Sequence, residues 1–249
     1  MKTIGLCLVL MLIGVTAQAR WWTDANGERF EAEFVKELFG TVYFKTPQGK
    51  EVRMGLDKMQ PEDLDYLRLN EAPEMVIDVA RKTTLKERHK VVPPDDIIDI
   101  VTLSVGVEKK GEYQFDGIIK AEVFAIGKEV SADYPDVYRL VGKKQESFSF
   151  TNEVKNVFKH TVEVTVEVRR YKDEDGQPWG TKYEGYLVVL SDARGRQVGF
   201  LSDMNWAKPE SLAALRTLKV SNFMDQKFQK LPVPRPTSLQ DRSEWQAQF

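Results

Sequence analysis

The sequence predicts a mainly β protein, with a small β module at the N-terminus followed by an antiparallel β-sandwich and a short C-terminal helix. Short alternating apolar runs recur along the chain, as where Val162, Val164, Val166 and Val168 alternate with Glu163, Thr165 and Glu167. Glycine-containing turns separate such runs, at Asp24-Ala25-Asn26-Gly27, Pro47-Gln48-Gly49 and Ser191-Asp192-Ala193-Arg194-Gly195. The composition is that of a folded, water-soluble chain: 249 residues, 42% hydrophobic and 30% charged, with 36 Lys+Arg against 38 Asp+Glu. A net charge of -2 supplies no basic face to displace condensed counterions, so nucleic acid is set aside as a partner.

Residues 1–19 read as a signal peptide. Lys2 gives a positive start, Ile4 to Val15 is apolar apart from two glycines, and Ala17-Gln18-Ala19 is an A-x-A cleavage site before Arg20. Cys7 lies too early in the apolar run to be a lipidated cysteine. The chain after residue 19 has no cysteine, so neither a disulfide nor a thiol nucleophile is expected. It also has no long apolar stretch. The expectation is an exported protein of the periplasm or extracellular space, without a transmembrane segment once the signal is removed.

From Arg20 to Leu69 the pattern is that of a compact module. The turn at residues 24–27 joins Trp21-Trp22-Thr23 to a strand in which Phe30, Ala32 and Phe34 share a face. Val42 and Phe44 then alternate with Tyr43 and Lys45, and Val52, Met54 and Leu56 alternate on the way back. A three-residue loop with Gly49 in the left-handed position pairs Phe44 with Val52 and Val42 with Met54 inside. The same register sets Tyr43 against Arg53 and Lys45 against Glu51 outside. A two-residue loop would oppose Phe44 and Arg53, so the hydrophobic pattern selects the register. Pro61 suits the first position of a helix, with Glu62, Asp63 and Asp65 near its positive end and Leu64 and Leu67 facing the sheet.

Trp22-Thr23-Asp24, Gly27, Glu31-Ala32-Glu33-Phe34, Gly49-Lys50, Leu56, Lys58-Met59 and Glu62-Asp63 followed by Tyr66-Leu67 resemble the SLA1 homology domain 1, a small SH3-like barrel. The resemblance covers residues 20–69, about a fifth of the chain. It departs at Gln60, where the family usually has a serine that caps the helix. The member for which the family is named binds a short Asn-Pro-Phe-x-Asp peptide, and similar domains occur in exported bacterial proteins. The resemblance therefore implies a peptide-binding face, and Tyr43, Lys45, Lys50 and Arg53 are the residues expected to carry it.

Residues 70–96 read as a linker, since Pro73, the basic cluster Arg81-Lys82 and Lys86-Glu87-Arg88-His89-Lys90, and Pro93-Pro94 interrupt any long periodicity; Met75-Val76-Ile77 can add a strand. Residues 97–219 read as the sandwich plus helix. Its expected strands begin at Ile98, run from Tyr113 to Val130 with Gly117 as a bulge, cover Ser147 to Phe150 and His160 to Val168, and end with Tyr183 to Leu190 and Gln197 to Leu201. Pro209 starts a helix with Leu212, Leu215 and Leu218 on one stripe. Residues 220–249, with Pro232, Pro234 and Pro236, are expected to be a mobile tail.

Chemical motifs are few. His89 and His160 are seventy-one positions apart, and no P-loop, G-x-G-x-x-G or G-x-S-x-G run occurs. Asp173-Glu174-Asp175-Gly176 invites a calcium reading, yet an EF-hand frame would put Tyr171 and Lys182 at ligand positions, so a polar hairpin turn is the expectation. No catalytic residue, metal or cofactor is expected. These features read as an exported, non-enzymatic protein-binding or scaffolding protein of the bacterial cell envelope, with an envelope protein or peptide as partner. The alternative is a carbohydrate-binding protein that stacks sugars on exposed Trp179 and Trp206. A third reading is an envelope hydrolase.

Overall fold

A computed structural model describes residues 19–86, 96–111, 113–150, 159–173 and 175–234. The expected signal peptide and cleavage site therefore lie outside the described residues, apart from residue 19 itself, as do His89 and the end of the tail. The fold is mainly β, built from two antiparallel sheets in two compact units that divide between Asp65 and Tyr66. No helix among the described residues is long and apolar enough to cross a membrane.

In the first unit β1 (Arg20–Thr23), β2 (Arg29–Leu38), β3 (Thr41–Lys45) and β4 (Glu51–Gly55) form a meander in sequence order. Trp22, Ala32, Phe34, Val42 and Phe44 fill its inner face. The Phe44 ring sits 4.8 Å from Trp22 and 5.2 Å from Phe30, and Trp22 Nε1 donates to the Ala32 carbonyl at 2.8 Å, which satisfies the indole inside the core. The β3–β4 register is the expected one: Phe44 opposes Val52, Val42 opposes Met54, Tyr43 opposes Arg53 and Lys45 opposes Glu51. After β4 a 3₁₀ turn at Leu56–Lys58 returns the chain to β1, where Met59 bridges Asp24 and the Ala25 N–H donates to the Lys58 carbonyl at 2.8 Å. That return brings the far end of the meander back to its first strand, as a small barrel requires.

α1 (Pro61–Asn70) follows Gln60, where a serine would cap the helix with its hydroxyl. The Gln60 side chain instead donates to the Asp24 carbonyl at 3.0 Å, and buried Asp63 accepts from the Thr23 N–H at 2.7 Å and from the Arg20 guanidinium. An acid in the first helical turn thus also anchors β1.

The second unit holds β5 (Met75–Leu85), β6 (Ile97–Lys109), β7 (Ile119–Glu129), β8 (Tyr138–Phe148), β9 (Lys159–Lys172), β10 (Pro178–Asp192), β11 (Gln197–Ser202), α2 (Leu212–Thr217), β12 (Phe223–Met224) and β13 (Lys230–Leu231). The order is β13-β12-β8-β7-β10-β9-β6-β5, with β11 also beside β10. β10 joins two layers: its first residues, Pro178–Gly180, pair with β9, and its last stretch pairs with β7 and β11. The layers press face to face. A Cβ built at Gly142 of β8 would come within 2.3 Å of Val166 Cγ1 of β9, so only glycine fits that crossing. The alternating valines of β9 are buried as expected, as is the apolar end of β10. Leu212, Leu215 and Leu218 join Phe124, Leu140 and Met224 in one core cluster, and Arg216 of α2 reaches buried Glu122 of β7 at 2.9 Å.

Several boundaries differ from the sequence reading. Residues 75–85, read as linker, pair with β6 along their whole length. Their outer half, Arg81 to Leu85, is exposed and polar, as suits a strand at the end of the sheet order, and that polarity hid the strand. The strand read from Tyr113 begins only at Ile119; before it, the Tyr113 hydroxyl donates to the Glu71 carbonyl at 2.8 Å and Gly117 lets the Phe115 ring approach. β8 starts at Tyr138 rather than near Ser147, because Arg139, Lys143 and Lys144 and a bulge at Val141 break its alternation. Part of the expected mobile tail is ordered: residues 223–231 form a hairpin that adds to β8, with Phe228 buried.

Four hairpin turns are built alike, starting at Asp24, Asp173, Asp192 and Asp225. In each, the aspartate carboxylate accepts from the backbone N–H groups two and four positions on, at 2.8 to 3.0 Å. The residue three positions on is left-handed: Gly27, Gly176, Gly195 and Phe228.

Candidate functional site

The outer face of the four-stranded sheet carries the residues expected to bind. Tyr43 lies between two cations: Arg53 Cζ is 5.2 Å from its ring centroid and Lys36 Nζ is 5.4 Å away. Arg53 Nε donates to Glu51 Oε1 at 2.7 Å, and this hydrogen bond, together with the Glu51 charge, raises the guanidinium pKa further. Lys45 stands one rung along, between Glu33 on β2 and Glu51 on β4 in the strand register. Lys50 is exposed at the hairpin end, its N–H on the Thr46 hydroxyl at 3.2 Å. The structure thus brings Tyr43 and Arg53 into contact, sets Lys45 on the neighbouring rung and leaves Lys50 at the turn.

Sequence reasoning missed Lys36. Strict alternation from Phe30, Ala32 and Phe34 would turn Lys36 inward, but Val35 is a bulge: Phe34 opposes Phe44 and Lys36 opposes Tyr43. The extra residue moves Lys36 to the outer face and Glu37 to the inner one, where Glu37 is buried and accepts from the Gly40 N–H at 2.6 Å. No residue type in the strand signals this. Phe39, fully exposed at the following turn with φ 51°, and exposed Trp21 on β1 were also unassigned.

The tryptophans proposed for sugar stacking do not offer open faces. Trp179 is buried, tilted against Tyr134 at 5.9 Å, with Nε1 donating to Asp173 Oδ2 at 2.8 Å. The close crossing at Gly180, where a Cβ would meet the Arg169 carbonyl at 2.3 Å, draws the strand ends together and encloses the indole. Trp206 is half-buried between Tyr138 at 4.6 Å and Phe228 at 5.5 Å. Both serve the core instead.

His160 Nε2 donates to Glu146 Oε1 at 2.8 Å, and its ring stacks on Phe148 at 3.9 Å. The hydrogen bond to His160 holds the Glu146 carboxyl below its ordinary pKa. Asp173 spends its carboxylate on the turn and on Trp179, so the acidic segment behaves as a hairpin turn at its described residues. Among the described residues no three His, Cys, Asp or Glu side chains gather as a metal-holding group.

No protein-family model matches the chain, and no curated protein does. Among solved structures it is similar to one from Akkermansia muciniphila, with 14% identity over 60% of this chain and 80% of that one and a TM-score of 0.25. It is also similar to the Northeast Structural Genomics Consortium target SoR45, with 10% identity over 53% of this chain and 87% of that one and a TM-score of 0.21. Likenesses this loose leave the role of the chain to be read from its own residues.

Proposed function

We propose that the chain is an exported, non-catalytic binding protein of the bacterial cell envelope, whose four-stranded unit takes an acidic, aromatic peptide of an envelope partner on its outer face. One observation carries the reading: Tyr43 presents its ring between Lys36 and Arg53. A ring flanked by two cations offers stacking surface to an aromatic side chain and charge-assisted donors to a carboxylate beside it. The face supplies charge, ring surface and donors, which are the means of recognition, and pairs no nucleophile with a base.

Titration of a fluorescent peptide carrying Phe and Asp against the full chain tests the proposal. Arg53→Ala and Tyr43→Ala should each weaken binding about tenfold, because one loses a charged contact and the other the ring. The thermal melt of Arg53→Ala should overlay that of the wild type, since Arg53 is solvated and its partner Glu51 is exposed, whereas Tyr43→Ala, which removes a half-buried ring from a central strand, should melt slightly lower. Equal affinities in the wild type and both variants would place the binding surface elsewhere.

A further inference from the structure

β5 lies at the end of the strand order, and among the described residues no strand pairs with its outer edge. It pairs with β6 without a bulge, from Met75 opposite Lys109 to Leu85 opposite Asp99. The ends of this ladder fix where its main-chain groups point. The Lys86 N–H donates to the Ile98 carbonyl at 2.9 Å, and the Glu74 carbonyl accepts the Lys110 N–H at 2.9 Å, so the even-numbered residues between them bond to β6. The odd-numbered ones turn their N–H and C=O groups the other way. For Arg81, Thr83 and Leu85 these groups face outward from a stretch in which every residue from Ala80 to Lys86 is exposed. Nearer its start the strand is packed against β11, where a Cβ on Gly199 would come within 3.2 Å of Ile77 Cδ1.

We infer that the outer edge of β5 takes an acidic, extended segment of a partner protein as an added strand. Sheets usually blunt an edge by keeping it short, by proline, by a bulge or by charge. Over residues 79–86 only charge is present: Arg81, Lys82 and Lys86, with no acid among them. Lys86 is held by Glu167 at 2.9 Å, and Asp99, opposite Leu85, is held by Arg170 at 2.8 Å. Arg81 lies 5.5 Å from the Tyr183 ring centroid, and neither it nor Lys82 pairs with a described carboxylate. Outward main-chain groups would accept any extended chain, so charge selects the occupant. A second copy joined there would gather two Arg81 and two Lys82 side chains in one short ladder, which like charge opposes, whereas an acidic strand is attracted by the same cations. Lys82 and Thr84 alternate on one face with Arg81, Thr83 and Leu85 on the other. A partner that alternates acids with β-branched residues therefore sets acids beside Lys82 and apolar groups beside Thr83 and Leu85. None of these residues belongs to the unit that carries Tyr43.

The probe is an acetylated peptide of alternating Glu and Val, titrated into the full chain and followed by amide hydrogen exchange in the nuclear magnetic resonance spectrum. At saturation the N–H groups of Arg81, Thr83 and Leu85 should exchange at least about tenfold more slowly, while those of Lys82 and Thr84, already bonded to β6, should not change. Thr83→Pro removes one outward donor and no bond to β6, so it should melt with the wild type and bind the peptide at least about tenfold more weakly. Lys82→Glu should weaken the peptide about fivefold and favour a Lys-Val peptide instead. Methylating alternate backbone nitrogens of the Glu-Val peptide needs no protein variant: one alternate set should abolish binding and the other should spare it. The inference is overturned if those three amides exchange unchanged, if both methylated peptides bind alike, or if Thr83→Pro binds as the wild type does. Loss of the peptide in Arg53→Ala would place it on the four-stranded unit, and self-association relieved by Thr83→Pro would put a second copy on the edge; either result also overturns it.

Discussion

Phe228 sits at φ 60°, in the position that glycine fills in the other three aspartate turns, and its side chain is 1% exposed within the core cluster. A left-handed non-glycine residue costs about 1 kcal/mol, and a buried phenyl ring contributes several times that, so packing wins at this position. The usual ranking of small replacements should then invert. Phe228→Ala is expected to destabilise by about 3 to 5 kcal/mol, since it loses the ring and keeps the strain. Phe228→Gly loses the ring but relaxes the backbone, and should be about 1 kcal/mol less damaging than alanine, the opposite of the order in a helix or strand. Urea unfolding of both variants checks this; an alanine variant as stable as glycine or more so would mean that the turn bears no strain. Asp24, Asp173 and Asp192 announce their turns in the sequence because a glycine follows three positions later. Asp225 does not, because the aromatic residue stands where the signal should be.

Strands show where sequence periodicity succeeds and where it stops. The β3–β4 register was legible because two apolar residues on each strand and one left-handed glycine admit a single pairing. Bulges are silent by comparison. Val35 moves Lys36 beside Tyr43, Val141 is the extra residue between Leu140 and Gly142 of β8, and the bulge at Glu184 falls shortly after the part of β10 that pairs with the opposite layer. A bulge bends its strand and sharpens its twist, which fits a strand that must serve two layers. Because Val35 is the unpaired residue, its deletion should restore a regular ladder with Phe34 still inside and Lys36 still outside. The chain lacking Val35 should keep its circular dichroism and lose no more than about 1 kcal/mol in urea. Deletion of Tyr43 from unbulged β3 should instead put half of that strand on the wrong face and abolish cooperative unfolding of the unit. If deleting Val35 is as damaging as deleting Tyr43, the bulge has a role beyond its register.

At the scale of the molecule, the sequence was a fair guide to class and a poor one to boundaries. Proline and charge suggested a connector from residue 70, yet the division falls at Asp65, inside α1, and the chain from Tyr66 onward belongs to the larger unit. Glu71 is buried and reaches Arg196 at 3.0 Å and Arg194 at 3.4 Å, while the Arg68 carbonyl accepts the Asp116 N–H. Such pairings join residues far apart in the chain, and no local pattern reports them. A chain beginning at Tyr66 should therefore be more stable than one beginning at Pro73 by about 1 to 3 kcal/mol, since the shorter one loses the Glu71 carboxylate and the carbonyl that accepts the Tyr113 hydroxyl, and leaves Arg194 and Arg196 with Asp192 alone. Equal urea midpoints would show that the segment is dispensable. The repeated aspartate turns also bear on how quickly this topology is found. Sheets made of distant strands fold slowly, because long loops must close before any contact rewards them. Four turns that close on their own side chains let β1–β2, β9–β10, β10–β11 and β12–β13 form as local hairpins on the microsecond scale, leaving only pairings such as β6–β9 and β7–β10 to a slow search.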